Sequence, residues 1–137
     1  MKILLDTNIV VDILARRDEY GDSLDILNLC ENGELEGVVS TVTIMDVLYI
    51  LRKHLNSAEV RDATLMLMQV VDTVPVLKSD ITTSLKGDFS DFEDAVQAAC
   101  AARIRADYIV TRNVKDFRNS FVPAILPGDM LELFQSL

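Results

Sequence analysis

The chain has 137 residues, half of them hydrophobic. That supplies a buried core and excludes disorder over most of its length. Acids outnumber bases 22 to 13, a net charge of −9, which on average opposes nucleic acid and acidic membrane, because Lys and Arg supply phosphate affinity.

In chain order, Lys2 to Leu5 is a short apolar run ending at Asp6, the pattern of a buried strand. A helix follows from Asp6-Thr7-Asn8 to about Leu14, and Arg16-Arg17-Asp18 breaks it. Ser23 to Leu29 reads as helix until Asn32-Gly33, and Gly37 to Thr41 as a second strand. Thr43 opens a helix to about His54, with Ile44, Val47, Leu48 and Leu51 on one face. Ser57 to Val70 is a further helix, and Val74 to Leu77 a third strand whose proline suggests an edge position. Ser79 to Leu85 is a short helix, then Asp91 to Arg105 a longer alanine-rich one. Tyr108 to Val110 is a fourth strand, Val122 to Leu126 a fifth, and Met130 to Leu137 a closing helix. No repeat or linker divides residues 1–137, so a single domain is expected.

Alternating strands and helices imply a mostly parallel sheet covered on both faces, with ligands beyond the strands' carboxyl ends. Those positions are acidic: Asp6 after the first strand, Asp46 after the second, and Asp116 after the fourth. Asp91, Glu93 and Asp94 crowd the start of the alanine-rich helix. Clustered carboxylates raise one another's pKa unless a cation compensates them. Hard oxygen donors without histidine point to Mg²⁺ or Mn²⁺, which activate water for attack on a phosphodiester. Each acid also has a structural role open to it. Asp6 stands where a helix cap belongs, Thr43 and Asp46 have capping-box spacing, and Ser90 to Glu93 matches that box more fully. Glu93 is therefore expected to be structural. Arg112 and Lys115 flank Asn113 and Asp116 and are expected to hold substrate phosphates. Arg16-Arg17 and the other basic pairs read as solvated faces.

Cys30 and Cys100 lie far apart, in no metal spacing, and read as buried thiols of a cytoplasmic protein. The lone histidine, His54, argues against a Ser/His/Asp triad. The apolar run near Met1 is too short for a signal peptide or a membrane span.

Ile3 to Asn8 with Asp12, Thr43 to Asp46, Asp91 to Ala95 and Ile109 to Phe117 together resemble the PIN-domain family, in order along nearly the whole chain. The resemblance implies a Rossmann-like three-layer α/β/α sandwich around a mostly parallel sheet of four or five strands. It implies a metal-dependent ribonuclease acting on RNA, commonly a homodimer. Many short prokaryotic members are toxins of toxin–antitoxin pairs (VapC-type), masked by an antitoxin protein. The family's first three acids match Asp6, Asp46 and Asp94. Its fourth position holds Asn113, a neutral group, and Asp116 is expected to replace it as ligand. Thr7, Asn8 and Thr111 are expected in support. A catalytically weak module binding RNA or a partner is the alternative that Asn113 keeps open. A phosphohydrolase with Asp6 as nucleophile wants Asp-x-Asp, and Asn8 occupies the second place. A receiver-like module wants an acid adjacent to Asp6, which the chain lacks.

Overall fold

The computed structural model describes residues 1–17 and 20–137. Asp18, part of the expected break, lies outside the described residues. Five parallel strands form one sheet in the order β3-β2-β1-β4-β5. They are β1 (Lys2–Leu5), β2 (Glu36–Ser40), β3 (Asp72–Val74), β4 (Tyr108–Val110) and β5 (Ala124–Ile125). Side chains alternate across it. Ile3, Leu5, Val39 and Val110 enter one core, and Leu4, Val38, Val74 and Ile109 enter the other. The first core takes α1 (Thr7–Leu14), α2 (Tyr20–Glu31), α3 (Thr41–Leu51), α4 (Ser57–Val70) and α7 (Pro127–Gln135). The second takes α6 (Phe92–Arg103), against which α5 (Lys78–Lys86) packs. The architecture is the expected three-layer α/β/α sandwich.

Several boundaries differ from the sequence reading, each for a local reason. The third strand is Asp72–Val74 rather than Val74–Leu77, ending before Pro75, which has no N–H to donate. It does lie at an edge. The third helix begins at Thr41, because Ser40 caps it by accepting the Thr43 N–H at 3.2 Å. The Thr43–Asp46 capping box is thus absent. Asp91, not Ser90, caps α6 through the Asp94 N–H at 3.0 Å. The last helix starts at Pro127 rather than Met130, with proline in the first turn, where a missing N–H costs nothing. A 3₁₀ turn over Val114–Phe117 was not foreseen.

Two helices end on arginine where glycine is usual. After α1, Arg16 adopts a left-handed φ of 52°. Its N–H reaches the Ile13 carbonyl at 3.3 Å, and the Arg17 N–H reaches the Asp12 carbonyl at 3.0 Å. This Schellman pair satisfies the helix's last carbonyls and folds the chain back along α1. Arg105, at φ 58°, does the same after α6.

Gly37 in β2 has no room for a side chain. An added Cβ would lie 2.7 Å from Cys30 Sγ and 3.1 Å from Val71 Cγ1. Gly37→Ala is therefore expected to destabilise the fold by about 1–3 kcal/mol through overpacking. Urea unfolding checks this, and adding Cys30→Ala should recover part of the loss.

Candidate functional site

The strand order reverses between β1 and β4, and a crevice opens beyond their carboxyl ends. Leu5 pairs with Val110, and the Asp6 N–H continues the ladder to the Val110 carbonyl at 3.0 Å. Asp6 and Thr111 are therefore brought side by side. Asp6 is 5% exposed and Thr111 is fully buried.

The Asp6 carboxylate is held on all sides. Oδ1 accepts from the Thr7 N–H at 2.8 Å and from Gln97 Nε2 at 3.3 Å. Oδ2 accepts from Thr111 Oγ1 at 2.8 Å and from Asn8 Nδ2 at 3.2 Å. Burial raises its pKa, and the bonds from Thr111, Thr7 and Gln97 oppose the rise. Gln97 also donates to Thr43 Oγ1 at 2.7 Å, and Thr43 shares a hydrogen bond of 3.0 Å with Thr7. So α1, α3, α6 and β4 are tied to one carboxylate. Gln97, 1% exposed, was missed by sequence reasoning. Its one signal is its place three residues after Asp94 in an alanine-rich helix, on the same face.

A cavity of about 330 Å³ opens over Asp6. Thr7 and Asn8 line it from α1, Asp91, Glu93 and Asp94 from the start of α6, and Asn113 and Asp116 from the loop after β4. The expected acids Asp6, Asp94 and Asp116 thus share one cavity, and Asn113 lies beside Asp116. Asp46 does not line it. Its side chain instead hydrogen-bonds Glu93, which does. Glu93, read from sequence as a capping residue, makes no cap and faces the crevice, because Asp91 holds the cap position.

Two basic residues expected at this cavity do not line it. Arg112 Nε binds buried Asp12 Oδ2 at 2.7 Å, and its side chain lines a neighbouring cavity between α2 and α7. Lys115 stands exposed on the 3₁₀ turn. Arg17 lines the carboxylate cavity, although the sequence reading left it on a solvated face.

The acids repel one another. Burial, then the charges of Asp6, Asp91 and Asp116, push Asp94 up to about 7. The hydrogen bond to Asp46, then burial and neighbouring acids, push Glu93 up to about 8. This oxygen-only donor set suits a hard divalent cation, which would relieve the repulsion. Among the described residues, no three His, Cys, Asp or Glu side chains are grouped to enclose an ion alone.

The family model described as "PIN domain" matches residues 2–115. No curated protein sequence matches the chain. Solved structures share its fold. VapBC2 from Rickettsia felis, bound to a DNA fragment from its promoter, aligns at TM-score 0.69 and 18% identity, covering 92% of this chain and 98% of that one. VapBC-1 from nontypeable Haemophilus influenzae aligns at 0.70 and 19% identity, covering 93% and 99%. The Mycobacterium tuberculosis VapC20, a Sarcin-Ricin loop cleaving toxin, aligns at 0.64 and 15% identity, covering 78% and 86%.

The raised acids predict a pH signature. Ionising Asp94 or Glu93 costs more folded than unfolded, where the ordinary values are 3.8 and 4.5. The penalty is absent below those values, grows as pH rises, and is complete above about 7 and about 8. With chelator present, the urea midpoint should fall between about pH 5 and pH 8.5, and Asp94→Asn should shrink that fall. An equal fall in the variant would contradict the repulsion.

Proposed function

We propose, from the premise that the chain belongs to the PIN-domain family, that it is a divalent-metal-dependent endoribonuclease. One observation carries the reading: Asp6, Asp94 and Asp116 converge with Glu93 on one cavity at the sheet's reversal point. The nearest chemistry for such a set is hydrolysis of a phosphodiester, and RNA is the substrate class we assign. The VapC20 structure, that of a Sarcin-Ricin loop cleaving toxin, supports that class. The VapBC structures support a role as the toxin of a toxin–antitoxin pair, with an antitoxin protein as partner. A homodimer and a cytoplasmic location belong to the same proposal. Among the described residues, no helix is long and apolar enough to cross a membrane.

One or two carboxylates of the set Asp6, Asp94 and Asp116, completed by water and substrate oxygens, would hold Mg²⁺ or Mn²⁺, with the Asn113 side-chain carbonyl as a neutral donor beside them. A bound ion supplies charge neutralisation and activates water for in-line attack on phosphorus. The chain's own residues do the rest. Thr111, Asn8, Gln97 and the Thr7 N–H fix the Asp6 carboxylate in one orientation. Glu93, pushed up to about 8 beside Asp46, can take up or release a proton at the cavity's edge. Asp116 supplies the charge that Asn113 lacks, which favours cleavage over the binding-only alternative.

Purified protein with Mn²⁺ is expected to cleave RNA. Asp6→Asn and Asp94→Asn should each lower the rate by about 100-fold or more, since each removes a charged ligand. Wild-type activity in both variants, in a gel assay of labelled RNA, would refute the assignment.

A further inference from the structure

We propose that Arg17 is the substrate-binding cation of this site, holding an RNA backbone phosphate at the mouth of the carboxylate cavity; the assignment rests on the nuclease reading. The cavity is lined by Asp6, Asp91, Glu93, Asp94 and Asp116, and among its described lining residues Arg17 alone is basic. An anionic backbone entering past five acids needs a positive contact besides any bound divalent ion. Arg112 and Lys115 stand outside that lining, and Arg112 is paired with Asp12.

The geometry shows how Arg17 is kept ready. Arg16, at φ 52°, reverses the chain after α1, and the bond from the Arg17 N–H to the Asp12 carbonyl fixes the next residue against the helix. Asp12, 2% exposed, stands one turn beyond Asn8 on the same helix face. Its Oδ2 takes Arg112 Nε at 2.7 Å, whereas its Oδ1 lies 3.7 Å from Arg17 Nη1. The first contact is a close ion pair. The second is too long for a hydrogen bond and acts as an electrostatic guide. The Arg17 side chain remains 45% exposed, so its planar fork of donors is oriented yet available to phosphate oxygens. A backbone contact of this kind positions RNA without reading its sequence.

The test uses the full chain and a labelled oligouridylate, with Ca²⁺ replacing Mn²⁺ during binding and Mn²⁺ restored for cleavage. Arg17→Ala should weaken binding about tenfold and reduce the slope of log K against log salt by about 0.7, the value for one phosphate contact on a single strand. In cleavage, KM should rise by a similar factor while kcat changes by less than about threefold. Arg17→Lys should keep the slope, and Arg61→Ala, on the exposed face of α4, should match wild type despite the same loss of charge. Thermal melting confirms that each variant is folded. If Arg17→Ala keeps the wild-type slope and KM while Asp6→Asn is inactive, Arg17 is not the phosphate ligand and the nuclease reading stands. If wild type with Mn²⁺ cleaves no RNA, the nuclease reading fails, and this assignment with it.

Discussion

The buried Asp6 carboxylate sets the terms for everything around it. Removing such a charge from water costs several kcal/mol even after relaxation. Four donors offset that cost: the Thr7 N–H, Asn8, Gln97 and Thr111. Hydrogen bonds to a charged group contribute about 1.5–3 kcal/mol each, and leaving one unmade costs a comparable amount. The donors come from the chain after β1, from α6 and from the end of β4. Satisfying one side chain therefore fixes the angle at which three elements meet. Through Gln97 and Thr43 the constraint reaches α3 as well.

The acids outside this network have the opposite character. Asp94 and Glu93 have fewer compensating donors and are pushed toward neutrality. The site thus divides into one carboxylate whose orientation the protein fixes with hydrogen bonds and several with few such bonds. That division gives the net charge of −9 a local meaning. The composition opposed nucleic acid on average, but part of the acidity lies in one crevice where a divalent ion inverts its sign.

Much of this was legible in the sequence, and the misses have identifiable causes. The strand-end positions of Asp6 and Thr111 follow from short apolar runs, which fix where side chains leave a sheet. Asp94 follows from the start of a strong helix. Glu93 was misjudged because two capping registers, from Ser90 and from Asp91, fit the same residues, and only packing of α6 selects between them. Gln97 carries only the weak signal of its spacing from Asp94, since an alanine-rich helix leaves open which face is buried. Arg112 was misplaced because neighbouring side chains near a strand end leave on opposite sides, so Thr111 reaches Asp6 while Arg112 reaches Asp12. Arg17 depends on a left-handed arginine, a conformation that no residue pattern near Arg16 announces.

The sheet order has a temporal consequence. The central strand β1 is the first element, yet its inner neighbour β4 begins at Tyr108. Thr111, which completes the Asp6 network, lies 105 residues further along the chain. During synthesis from the N-terminus, Asp6 leaves the ribosome long before α6 and β4 exist to surround it. A partly made chain therefore holds the first acid without its companions. The late pairing of distant strands, which slows folding in parallel sheets, here delays assembly of the cavity until most of the chain is translated.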